Sequence, residues 1–176
     1  AGNHVRLTAD LEHASSGPLA SDLDFSTVSG SVSWIISTFF RSRERPNQLR
    51  LSLVGATSRG SLPRQRYYLL DGSTGFHAVS ATFRTLRDRP VAATKVAAVF
   101  WEHDFTTGLM ASLGLSSLAE QGTGLILFGG HGKVWDALDR KQGTGTFHEI
   151  GLGLAYPFRL PLRMEFATRL DGRGYS

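Results

Sequence analysis

The chain has no cysteine, which excludes a disulfide framework, thiolate chemistry and any cysteine-based metal site. It also lacks any run approaching the ~20 apolar residues of a membrane-spanning helix; its apolar stretches are only a few residues long. Charged residues are 19% of its 176 positions, below the roughly 25% usual for soluble domains, and the apolar share of 41% is modest too. Ala1 to Glu12 has no basic segment followed by an apolar one, so no signal peptide is visible; the expectation is that one was removed or that the chain is part of a longer one. Together these shortages exclude a helical membrane protein but not a transmembrane barrel. Barrel strands of about 9–11 residues need be only half apolar, which keeps mean hydropathy near zero; here it is −0.11. The net charge of +4 and pI near 9.8 invite a nucleic-acid reading. However, the arginines are scattered singly, and the one dense group, Arg41, Arg43 and Arg45, sits beside Glu44 at an expected turn. No nucleic-acid partner is expected.

What the chain does have is alternation. Ile150, Leu152, Leu154 and Tyr156 share one parity, interleaved with Gly151, Gly153 and Ala155. After Pro157 the pattern resumes, with Leu160, Leu162, Met164, Phe166 and Leu170 on one face and Arg163, Glu165, Ala167 and Arg169 on the other. A period of two marks β-strands whose faces meet different surroundings. A soluble sandwich turns its aliphatic face into a core, whereas a membrane barrel shows it to lipid and keeps charges in its lumen. Changes at Arg163 or Arg169 are then expected to be mild.

The same period recurs upstream. Val5, Leu7, Ala9 and Leu11 alternate with polar residues until the Ser15–Pro18 break. Asp22 to Arg41 is β-rich, with Val28, Gly30, Val32, Trp34, Ile36 and Phe40 on one parity. A turn at Arg45-Pro46-Asn47 leads into Leu49, Leu51 and Leu53, which makes a hairpin. Ser58 to Phe76 is irregular; Val79, Ala81 and Phe83 suggest a strand to Leu86, closed by Arg87-Asp88-Arg89-Pro90. Lys95 to Phe105 is β-rich with an open register, because Val96, Ala98 and Phe100 compete with Val99, Trp101 and Phe105 for the apolar face. Thr106 to Gln121 fits a short helix or an apolar loop, Leu125 to Trp135 a glycine-rich strand, and Asp136 to Thr146 a polar connection. The expected fold is all-β, an antiparallel meander of about eight to nine strands in one unit spanning residues 1–176. Aromatic residues near strand ends (Phe39, Phe40, Tyr67, Tyr68, Trp101, Trp135, Tyr156, Phe158) suit interfacial girdles and ordinary rim packing equally.

Catalytic motifs are weak. Gly129-Gly130-His131-Gly132-Lys133 has the wrong spacing for a phosphate loop, Val134 stands where Ser or Thr is required, and a strand kept thin by glycine explains it better. Asp71-Gly72-Ser73 lacks the order of an aspartic protease and reads as a turn. Glu102-His103-Asp104 and His148-Glu149 are the compact acid–histidine groups. Neighbouring strand residues face opposite ways, so Glu102 and His103 cannot serve one atom, while Glu102 and Asp104 share a face and could bind a cation. A strand end emerging into water is the simpler reading. No catalytic, cofactor-binding or metal residue is assigned, and no cofactor is expected.

The order of these features resembles the C-terminal part of a bacterial outer-membrane β-barrel of the surface-antigen superfamily. Leu62-Pro63 followed by Tyr67-Tyr68-Leu69-Leu70-Asp71-Gly72-Ser73 is similar to that superfamily's "LP … lf.l.G" entry into a long loop. Gly151-Leu152-Gly153-Leu154-Ala155-Tyr156 with Leu160-Pro161-Leu162-Arg163-Met164-Glu165-Phe166-Ala167 is similar to its "GlGl … plplrldfA" penultimate hairpin. Ala81 to Leu86 and Ala98 to Phe105, with a "lf.eH.F" strand, look closest to an uncharacterised branch that often follows a carboxypeptidase-regulatory-like domain. The resemblance covers roughly Ser61 to Leu170. It implies an outer-membrane location, a pore-like or scaffold barrel, and no catalytic residues. Implied partners are outer-membrane lipid, other envelope proteins and the remaining barrel strands of the parent chain. The chain departs from the family's insertases at Ser73-Thr74-Gly75-Phe76, where those carry Arg-Gly-Tyr/Phe, which removes the support for an insertase role. It also stops at Gly174-Tyr175-Ser176, where members go on to a closing strand, so strands closing a larger barrel are expected outside it.

The expected function is therefore an envelope-structural, pore or transport-related barrel, not an enzyme. Two rivals remain: a soluble β-barrel or sandwich binding a small apolar ligand, and a barrel-embedded hydrolase using Glu102, His103, Asp104 and His148.

Overall fold

The computed structural model describes residues 3–15, 24–38, 46–70, 81–86, 90–137 and 144–171. The Arg41–Arg45 group, Phe39 and Phe40, Asp71–Phe76, Val79 and Gly174–Ser176 lie outside these residues. Alternating segments become strands: β1 (His4–Ala14), β2 (Phe25–Ser37), β3 (Gln48–Gly60), β4 (Tyr68–Leu70), β5 (Val91–Asp104), β6 (Gly124–Ala137), β7 (Gly145–Ala155) and β8 (Arg163–Arg169). All pair antiparallel in one sheet of order β1-β2-β3-β5-β6-β7-β8, and short β4 continues the line of β3 along β5. The chain is thus all-β, and the sheet is not closed: β1 and β8 are its two edges. Thr106 to Gln121 forms two short helices, α1 (Gly108–Ser112) and α2 (Ser116–Glu120). The strand expected through Ala81 and Phe83 to Leu86 is instead a turn followed by a short 3₁₀ segment, Arg84–Leu86, because Ala81 takes a φ of 70° that no strand tolerates.

Strand register sorts the side chains into two faces. Trp34, Leu51, Trp101, Gly129 and Ile150 stand opposite one another across five strands, and the next row is Ser33, Ser52, Phe100, Gly130 and Glu149. The first row belongs to a face whose large side chains are exposed: Leu7, Val28, Trp34, Leu53, Leu152, Phe166 and Leu170. The second belongs to a face that is covered. Arg163 of β8 donates to Glu102 of β5 at 2.7 Å, although three strand intervals would separate them by about 14 Å on a flat sheet. The sheet therefore curls around this second face, which is concave, and turns its aliphatic face outward.

The two ends of the sheet differ. At one, here the turn end, lie the β2–β3 turn, the α1–α2 connection and the β7–β8 turn; at the other, the loop end, the long connection from β3 to β5 begins. Segment 81–86 of that connection lies on the concave face, where Phe83 is 1% exposed within a cluster including Leu70, Val96, Phe100, Val134 and Phe147. The glycine-rich β6 makes the room. A Cβ at Gly130 would stand 2.9 Å from the Phe100 ring, and one at Gly132 would stand 2.9 Å from the Phe83 ring. Gly132→Ala is expected to destabilise by about 1–3 kcal/mol through overpacking. Gly55→Ala, whose new Cβ meets nothing nearer than 3.9 Å, should stay near the original stability. Urea unfolding of both variants checks this.

Candidate functional site

Carboxylates on the concave face of a curled sheet need partners, since an unpaired buried charge is very costly. Strand alternation points Glu102 (β5), Glu149 (β7) and Glu165 (β8) inward, along with Arg50 (β3) and Arg163 (β8). A third cation, Arg84, arrives on segment 81–86. Its guanidinium donates to Glu102 at 3.1 Å, to Glu165 at 3.4 Å and to the Thr82 carbonyl at 3.0 Å. It also lies over the Phe128 ring, 4.2 Å from its centre, where the ring's negative face favours a cation.

Glu102 accepts from three arginines at once: Arg50 at 3.0 Å, Arg84, and Arg163. Arg163 also donates to Glu165. Glu149, 1% exposed, holds the segment by its backbone, accepting the Arg84 and Thr85 N–H groups at 3.0 Å each and the Thr85 hydroxyl at 2.9 Å. Three guanidinium groups thus converge on the carboxylates of Glu102 and Glu165, while Glu149 is satisfied by N–H and hydroxyl donors, so each buried carboxylate has partners. Phe83 anchors the same segment on its apolar side, with ring centres 4.8 Å from Phe100 and 6.2 Å from Phe147. The arrangement is a clamp that fixes a loop against the wall of a curled sheet. Beside it opens a cavity of about 360 Å³ between polar Thr8, Asp10, Ser29 and Ser31 and apolar Leu70 and Phe100.

The acid–histidine groups separate as alternation requires. Glu102 and Glu149 point inward and His103 and His148 outward; the His103 ring nitrogen Nε2 pairs with the Thr38 hydroxyl at 2.7 Å, and His148 lies against His131, Nδ1 to Nδ1 at 2.8 Å. Asp104 shares the face of Glu102 but accepts the Thr106 N–H at 2.7 Å. No group of three metal-ligating side chains occurs among the described residues. Two expectations are corrected. Glu102 does not emerge into water but is 8% exposed at the centre of the network. Arg163, expected to tolerate change, ties β8 to β5 through Glu102. Arg169 pairs with Asp171 just beyond β8, and this hydrogen bond holds the Asp171 carboxyl below its ordinary value.

The chain matches no protein-family model, no curated protein and no solved structure. The geometry alone carries the functional reading. Sequence patterns did not mark Arg84, which sits in an irregular segment and meets partners 18 and 81 residues away. The strands gave no signal for it, because the inward carboxylates Glu102, Glu149 and Glu165 are already matched in number by the inward arginines Arg50, Arg163 and Arg169.

Proposed function

We propose that the chain is part of a bacterial outer-membrane β-barrel, with its convex face against lipid and its concave face forming the wall of a lumen partly filled by segment 81–86. One observation carries this reading: the convex face exposes many large apolar side chains, while Arg50, Glu102, Arg163 and Glu165 of β3, β5 and β8 pair with one another on the concave face. That is the reverse of a water-soluble sheet and the arrangement a bilayer requires. β1 to β3 and β5 to β7, at 11–14 residues each, meet or exceed the 9–11 or so needed to cross. Among the described residues no helix is long and apolar enough to span, which says nothing about strands.

In lipid the open edges of β1 and β8 would need pairing, so the reading includes further strands completing a larger barrel. The role is structural, pore-forming or transport-related and non-catalytic. Lipid is the immediate partner, other envelope proteins are secondary ones, and no nucleic acid is involved. A soluble protein binding a small apolar ligand fits less well, because the exposed leucines of the convex face would then meet water. Size-exclusion chromatography tests the proposal: the chain should be monodisperse in detergent and aggregate without it. A stable monomer in plain buffer would refute it.

A further inference from the structure

The turn end of the sheet carries a second apolar surface, distinct from the flanks of the strands. Between β5 and β6, the run from Phe105 to Ala119 contains no charged side chain. It folds as α1 and α2 and is fixed at its base. Phe105 N–H donates to the Leu125 carbonyl at 2.9 Å, Leu125 N–H donates to the Thr106 carbonyl at 3.0 Å, and the Thr106 hydroxyl donates to Asn47 at 2.8 Å. Met110 is buried, yet Leu113 and Leu115 project outward, 61% and 44% exposed. Gly124 pairs with Ala155, so the β7–β8 turn is the immediate neighbour of this connection. There Tyr156 and Phe158 adopt left-handed backbone angles, φ 52° and 54°, which non-glycine residues take only at a cost. Phe158, Leu160 and Leu162 are all exposed. A fixed base and a strained aromatic turn both serve to present apolar side chains outward.

We propose that these two connections form an interfacial anchor seated at the boundary of headgroups and acyl chains in the leaflet at the turn end. The inference rests on the reading that the convex face meets lipid. Three observations select lipid as the occupant. The surface is continuous with the convex band, because Tyr156 follows Ala155 directly and the adjoining pair Leu154–Met164 faces outward. Its charges are few, Arg159 among the apolar residues of the β7–β8 turn and Glu120 at the end of α2, as in segments whose cations reach for phosphates while aromatic rings lie at the headgroup level. Among the described residues, the convex face at the opposite end instead exposes the cations Lys95 and Lys133.

The absence of cysteine makes the test clean. Single variants Leu113→Cys, Phe158→Cys, Phe166→Cys and Lys133→Cys would each carry one environment-sensitive fluorophore in the full chain, reconstituted into phosphatidylcholine–phosphatidylethanolamine liposomes. Labels at 113 and 158 should emit blue-shifted relative to 133 and be quenched most by lipids brominated near the ester linkage. The label at 166 should be quenched most by bromines deep in the chains. If 166 is quenched while 113 and 158 emit as in water, the anchor is refuted and the lipid-facing sheet stands. If 113 and 158 are shielded from aqueous iodide and from brominated lipid alike, protein covers them and the anchor is again refuted. If none of the four is quenched by brominated lipid, both readings fall.

Discussion

Glu102→Gln is expected to destabilise the fold by about 3–5 kcal/mol, the range for breaking a buried ion pair on one side. Glu102 is 8% exposed and accepts from Arg50, Arg84 and Arg163, which come from three separate parts of the chain. A glutamine of the same shape keeps a carbonyl oxygen for one guanidinium but leaves the cluster with excess positive charge out of water. The cost is therefore electrostatic and little of it is packing. Arg50→Ala should cost less, near 1 kcal/mol, because the Arg50 side chain is 32% exposed and water screens its pairing. Urea unfolding in detergent, followed by tryptophan emission, measures both. A Glu102→Gln midpoint indistinguishable from the parent would mean that the clamp contributes nothing to stability.

Phe166→Arg is the second large effect expected, about 2–4 kcal/mol when the chain folds into liposomes, if residue 166 lies near mid-bilayer. Phe166 is 60% exposed on the convex face, so in water the same change would remove little buried area and stay within about 0.5 kcal/mol. The two environments give costs far enough apart to decide between them. Arg163→Ala on the opposite face should also be destabilising, through loss of the contacts to Glu102 and Glu165. The contrast between faces thus lies in mechanism: lipid exclusion of a new charge outside, stranded carboxylates inside.

The hairpin from Ile150 to Leu170 was legible because its two faces have opposite chemistry, so period and orientation could be read together. Lys95 to Phe105 was not, since both its faces are apolar: Phe100 meets Phe83 on the concave side while Trp101 covers Gly129 on the convex side. Where the concave face of a sheet is covered by an apolar segment, alternation reveals a strand without saying which face is inside. The strand expected to run to Leu86 failed for a related reason. Phe83 is buried by contacts with β5 and β7, which are remote in sequence, so its apolar character did not signal a local period. The glycines of β6 were recognised as thinning a strand, but what they make room for became visible only once the Phe83 ring was placed over Gly130 and Gly132.

The most direct test of the lipid-facing claim uses the native chain, because its three tryptophans, Trp34, Trp101 and Trp135, all project from the convex face. Reconstituted into liposomes containing brominated phospholipid, the protein should lose much of its tryptophan emission and resist quenching by aqueous iodide. Emission quenched freely by iodide and untouched by brominated lipid would place the convex face in water and contradict the account.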